Sequence, residues 1–125
     1  MLFRPLRLGP VTVAGRIARS ATSEGASDGA GRPTEALKEI YRRLALGSAP
    51  WVNTGYAYIL PNGRSDAAQN GIHTDDLIGP WRMILEAVRA EAPECKFFLQ
   101  IVHGGRQIAP ACVPDPIAPS AVPVV

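Results

Sequence analysis

The sequence predicts an α/β fold built on a parallel sheet. Three observations carry that expectation. Strand-like segments alternate with amphipathic helical segments along most of the chain. The last strand candidate, Lys96 to Val102, is almost continuously apolar, as a strand covered on both faces must be. Gly 12 and Pro 12 in 125 residues disfavour a coiled coil or an all-helical bundle.

The elements follow in order. Leu6 and Leu8, then Val11 and Val13, alternate with other residues around Gly9-Pro10, which reads as a small hairpin. Arg16 to Thr22 is a strand that runs into a loop. That loop, Ser23 to Pro33, holds Gly25, Gly29 and Gly31 and is expected to be exposed and mobile. Thr34 stands as N-cap of a first helix, with Glu35 where the helix dipole favours an anion. Leu37, Ile40, Tyr41 and Leu44 form its apolar stripe, and Gly47 stands at its C-terminal cap. Trp51 to Leu60 is a second strand, ended by the turn residues Pro61-Asn62-Gly63. Asp75 or Asp76 caps a short turn ahead of a second helix. Leu77, Trp81, Ile84, Leu85 and Val88 are its buried face, Pro80 lies near its start and Ala92-Pro93 stops it. The third strand is Lys96 to Val102. From Gly104 to Val125 the chain carries Pro110, Pro114, Pro116, Pro119 and Pro123 without periodicity, so it reads as a loop or extension.

Length gives one domain, and a hydrophobic fraction of 46% supplies a core. Thirteen basic residues against eleven acidic, net +2, imply neither a nucleic-acid nor a membrane partner. No apolar run approaches the ~20 residues of a membrane span, and no secretory h-region is visible, so a soluble cytoplasmic protein is expected. Cys95 and Cys112 match no zinc or redox spacing and read as reduced thiols. His73 and His103 are too far apart for a metal cluster, and no nucleophile stands at triad spacing, so no catalytic or metal residue is nominated. His103-Gly104-Gly105-Arg106 lacks the Gly-Lys-Ser/Thr of a phosphate loop.

Three features are unusual for simple packing. Gln100 breaks an apolar strand near its C-terminal end, where parallel α/β folds bind ligands. An amide buried there must find partners or cost about 1–3 kcal/mol. It either bonds a ligand or is satisfied by neighbouring backbone. Ser20-Ala21-Thr22-Ser23 clusters small side chains and hydroxyls at the end of the first strand, as a wall for a flat ligand or as an ordinary loop start. In Thr54-Gly55-Tyr56-Ala57, Gly55 permits close backbone approach or simply marks the strand's end.

A series of segments, in order, resembles the N-terminal part of the Old Yellow Enzyme family of FMN-dependent oxidoreductases. They are Leu2-Phe3-Arg4-Pro5-Leu6 with Leu8-Gly9, Gly15-Arg16-Ile17, Arg19-Ser20-Ala21-Thr22 with Glu24-Gly25, Asp28-Gly29, Pro33-Thr34 and Tyr41-Arg42-Arg43. Thr54 to Tyr58, Pro61 to Arg64, Asp75 to Ile78, Leu99-Gln100, His103 to Gln107 and Pro116 to Pro123 continue the likeness. Each piece is modest, and their colinear order makes the set specific. The resemblance implies a partial TIM (β/α)8 barrel: an N-terminal hairpin plus about three parallel strands and two helices, with FMN at the C-terminal strand ends. It implies that Ser20, Ala21, Thr22 and Ser23 line the flavin ring, with Ser23 tuning its potential. Tyr56 matches a small residue whose backbone meets the flavin, and Gln100 matches the glutamine that bonds the pyrimidine edge.

Two departures stand out. Gly15 replaces the family's usual Asn, and Ser48 to Asn53 replaces a smooth apolar strand, so Pro50 and Asn53 are expected to weaken it. A TIM barrel needs eight βα units and about 250 residues, so residues 1–125 are expected to be the N-terminal part of one FMN-binding barrel domain. The implied function is hydride transfer from NAD(P)H through FMN to an activated alkene. The family's substrate histidines, proton-donating tyrosine and phosphate loops would lie beyond residue 125, so the isolated chain is expected to be inactive. The alternative is a non-catalytic fragment or one part of a split barrel. Expected partners are a small-molecule substrate and the remainder of the barrel or a second copy.

Overall fold

Alternation at the N-terminus produces the hairpin. β1 (Leu6–Leu8) pairs antiparallel with β2 (Val11–Val13), Leu8 facing Val11 across a left-handed Gly9 at φ 57°. The computed structural model describes residues 1–109 and 111–122; Pro110 and Pro123 of the tail lie outside them. After the hairpin come β3 (Ala18–Arg19), α1 (Glu35–Leu46) and β4 (Trp51–Asn53). Then follow β5 (Ala57–Tyr58), α2 (Ile78–Glu91), β6 (Lys96–Phe98) and β7 (Ile101–Val102).

The central sheet has the order β3-β4-β6, and both pairings are parallel. Each neighbouring pair of strands encloses one helix in sequence, which makes two consecutive βαβ units. A second parallel pair, β5 with β7, continues the paths of β4 and β6 past their ends. This is the partial α/β fold with a hairpin, parallel strands and two helices, open rather than closed into a barrel.

The core lies between the sheet and the two helices. Leu37, Tyr41 and Ala45 of α1, Trp81, Ile84 and Val88 of α2, and Val52 of β4 are buried together. Phe97 of β6 packs on Tyr41 with ring centroids 5.5 Å apart. Each large apolar side chain so removed from water contributes roughly 1.5–3 kcal/mol. The Trp81 indole N–H donates to the Gly71 carbonyl at 3.0 Å, so the aromatic is buried without an orphaned donor.

Several local expectations are corrected. The strand expected over 51–60 is two short strands, and so is the one expected over 96–102. The break falls where Gly55 donates its N–H to Glu24 and Gln100 donates its N–H to the Thr54 hydroxyl, so side chains replace ladder partners. The first strand shrinks to Ala18–Arg19. Thr34 occupies the N-cap position in extended conformation but does not cap: its hydroxyl donates to the Ala26 carbonyl at 2.6 Å. Gly47 is the C-cap at φ −72°, and the left-handed residue that turns the chain is Ser48 at φ 64°. Asp75 to Leu77 form a 3-10 turn with Thr74, not an aspartate, at its N-cap. Pro80 sits in the first turn of α2, where its missing N–H costs nothing.

The segment Ser23–Pro33 is not the uniformly exposed loop expected. Gly31 and Pro33 are buried. Asp28 Oδ1 accepts the N–H groups of Ala30 and Arg32, both at 2.8 Å, closing the turn from inside. Arg64 donates to the Gly29 carbonyl at 2.7 Å and Tyr58 donates to Ala30, so the loop is tied to the 58–71 segment. Tyr58 is itself sandwiched between His73, stacked at 4.7 Å, and the Arg64 guanidinium at 5.6 Å. In the tail, a 3-10 turn at Gly105–Gln107 is followed by the buried side chains of Ile108 and Val113, and the Cys112 thiol contacts the Ser65 carbonyl.

Candidate functional site

The parallel register decides where the strand ends meet. Ala18, Trp51 and Lys96 are level across the sheet, as are Arg19, Val52 and Phe97. Every strand therefore runs out on the same side. Ser20–Ser23 after β3, Thr54–Tyr56 after β4 and Leu99–Gln100 after β6 leave the sheet along one C-terminal edge. In open and closed parallel α/β sheets that edge is where ligands bind.

Alternation also fixes the face. Val52 and Phe97 point to the helices. Trp51 and Phe98 share the opposite face, their rings edge-on at 5.3 Å. Leu99 lines a groove with Phe97 and Trp81 on the helix side, so Gln100 belongs to the face of Phe98. That groove, about 680 Å³, is therefore on the other face of the sheet from Gln100.

The mouth is built from firmly held backbone and free side chains. The main chain of Gln100 is bonded on both sides: its N–H donates to Thr54 Oγ1 at 3.1 Å, and its carbonyl accepts the Ala57 N–H at 2.9 Å. Thr54 is 2% exposed and also donates its own N–H to Phe98 at 2.9 Å. The Gln100 side chain, by contrast, is exposed and makes no hydrogen bond to another described residue. The sequence expectation of a buried amide is corrected accordingly: the cost of burial does not arise, and the amide stands available at the edge. Ser20, Thr22 and Ser23 are exposed, and Ala21 is half-buried. Thr22 Oγ1 makes only a long contact, 3.5 Å, with the Ser20 carbonyl, while the Arg19 guanidinium donates to that same carbonyl. Tyr56 is half-buried, and its carbonyl accepts the amide of the buried Gln69 at 3.3 Å.

One residue beside this mouth, Glu24, was given no role in the sequence reading. Glu24 Oε1 accepts the Gly55 N–H at 2.8 Å, and Oε2 accepts the Asn70 amide at 3.4 Å. A Cβ on Gly55 would overlap that carboxylate and lie 2.8 Å from the Thr22 carbonyl, so only glycine fits. Burial, then the adjacent Glu24 carboxylate, push the Tyr41 phenol well above the ordinary tyrosine range. Its hydroxyl finds no hydrogen-bond partner of good geometry among the described residues. The signals for Glu24 in the sequence were a lone acid inside a run of small polar residues and its place, as Glu24-Gly25, in a segment that resembles the family. Among the described residues no group of three or more His, Cys, Asp or Glu is arranged to hold a metal ion, and no helix is long and apolar enough to cross a membrane.

A family model described as NADH:flavin oxidoreductase / NADH oxidase matches residues 1–124. The chain belongs to that family. It is 33% identical over 109 residues to a chanoclavine-I aldehyde reductase of Penicillium roqueforti, covering 87% of this chain and 28% of that one. It superposes on the old yellow enzyme homologue of Zymomonas mobilis with a TM-score of 0.87 and 30% identity, covering 97% of this chain and 33% of that one. Morphinone reductase, solved in complex with tetrahydroNAD, superposes with a TM-score of 0.83 and 29% identity over 97% of this chain and 33% of its own. The chain thus spans about a third of the length of these solved structures. The superposition takes in the sheet described above, and the match to the family extends through the proline-rich tail.

Proposed function

We propose that residues 1–125 form the N-terminal part of an FMN-dependent NAD(P)H oxidoreductase of the ene-reductase type. One observation carries the reading: the parallel register brings the free Gln100 amide and the small, hydroxyl-bearing bend Ser20–Ser23 to one strand-end edge. A flat ring bearing amide-like edges fits such a mouth. It needs a donor–acceptor pair at its rim and small side chains along its face. When bound, FMN supplies hydride transfer between NAD(P)H and an electron-poor alkene.

The chain's own residues then bind and orient. The Gln100 amide offers both an N–H and a carbonyl to the pyrimidine edge, and its backbone is already immobilised by Thr54 and Ala57. The Ser23 hydroxyl would stand beside the ring, where a donor would change the energy of the reduced state relative to the oxidised one. Ser20, Ala21 and Thr22 keep the wall shallow. Tyr56 would meet the ring through its backbone, its own carbonyl being occupied by Gln69. The nicotinamide reductant is in keeping with morphinone reductase and its tetrahydroNAD complex. The substrate site and the proton donor belong to the remainder of the barrel, which is the partner this part requires. A second copy of the chain is the other partner that its exposed edges could take.

The test is Gln100→Ala in the complete flavoprotein. Losing one hydrogen bond of about 1 kcal/mol weakens FMN binding roughly five- to tenfold, and the flavin's midpoint potential shifts. Unchanged affinity and potential would remove Gln100 from the site.

A further inference from the structure

We propose that Glu24 is a positioning residue for the flavin mouth: its carboxylate clamps the loop after β4 to the bend after β3 and so sets the gap in which the ring lies. This rests on the flavin reading above. The geometry is specific. Glu24 follows Ser23 directly, so it belongs to the wall itself. Its two oxygens reach two different segments, Gly55 at 2.8 Å and Asn70 at 3.4 Å. Gly55 in turn precedes Tyr56, whose backbone is proposed to meet the ring. One side chain therefore links both walls of the mouth.

Among the described residues no other side chain makes that link. The Gly55 N–H would otherwise be a buried donor without a strand partner, because β4 ends at Asn53 and β5 begins at Ala57. An ionised acceptor makes the stronger kind of hydrogen bond, and two acceptor oxygens let one residue hold two segments. The fit is tight enough that Gly55 tolerates no Cβ against Glu24 and the Thr22 carbonyl. Asn70 is 3% exposed, and its own carbonyl oxygen has no partner among the described residues. Flipping the Asn70 amide would turn that carbonyl oxygen toward position 24, where it could accept from the N–H2 of a glutamine as its own N–H2 now donates to the carboxylate. Glu24→Gln keeps an acceptor for Gly55; Glu24→Ala removes both links.

Both variants are made in the complete barrel protein. FMN dissociation constant, flavin absorption envelope and midpoint potential are measured alongside amide exchange at Gly55 in the flavin-free protein. Glu24→Ala is expected to accelerate Gly55 exchange, weaken FMN at least tenfold and alter the absorption envelope. Glu24→Gln is expected to stay within about threefold of the parent and to keep its spectrum. Wild-type affinity and spectrum in Glu24→Ala overturn the proposal. So does equal loss in both variants, which would assign the effect to charge. If the parent protein holds no FMN, the flavin reading fails by itself. Gly55 exchange in Glu24→Ala then still reports whether the clamp exists.

Discussion

Gly15 and Pro50 depart from the family's usual residues at two distant places in the sequence, and in the structure they touch. A Cβ on Gly15 would lie 2.8 Å from the Pro50 ring, so the proline accounts for the missing side chain. Pro50 was expected to weaken the second strand. It stands one residue before β4, where no ladder N–H is needed, and its carbonyl accepts the Lys96 N–H at 3.2 Å. Restoring the family's asparagine by Gly15→Asn should overpack this contact and cost about 1–3 kcal/mol. Adding Pro50→Ala should return most of that loss. Thermal or urea unfolding of the complete protein measures both, and full stability in the single variant would show that the contact yields. Residue-scale legibility was uneven. Gln100 was visible because a polar residue interrupts an apolar strand. Glu24 was not, because an acid in a glycine-bearing loop has no periodicity to break and its partners are 31 and 46 residues away.

At the scale of elements, the helices were the legible part. Their stripes, Leu37 with Tyr41 and Trp81 with Ile84 and Val88, are the observed core. The strands were located but drawn too long, because sequence alternation cannot report a side chain that takes over a ladder hydrogen bond. Tyr41 shows what α1 contributes beyond apolar area. Its hydroxyl is buried beside Glu24 with no hydrogen bond of good geometry among the described residues, so Tyr41→Phe removes a desolvated group that is poorly compensated. Stability should hold or rise by about 1 kcal/mol. The pH dependence has a definite sign. The phenol's folded value lies above its unfolded value of 10.0, so the fold favours the neutral form. That contribution is complete below pH 10 and is lost as pH rises beyond it. Tyr41→Phe should therefore flatten the alkaline side of the stability curve. Thermal unfolding across alkaline pH tests this, and a loss at neutral pH would mean that the hydroxyl is bonded after all.

For the molecule as a whole, the parallel order was legible from strand–helix alternation, and the common mouth followed from it. What alternation could not reveal is how much surface three strands leave uncovered. Among the described residues β3 and β6 each pair only with β4, so both outer edges of the sheet present open backbone. Leu99 and Ile101 beyond β6 are 48% and 59% exposed, and the groove of about 680 Å³ beside them is walled by Trp81, Leu85 and Phe97. A further βα unit would cover this face, pairing a strand with β6 and laying a helix in the groove. Without one, unpaired edge and apolar groove lie side by side, which is the arrangement that recruits another chain. Residues 1–125 produced alone should therefore associate in a concentration-dependent way and elute without flavin, since only part of the proposed site is present. Sedimentation and absorbance after gel filtration read both. A stable 13.3 kDa monomer that carries FMN through the column would mean that three strands suffice for the site and that the uncovered face needs no partner.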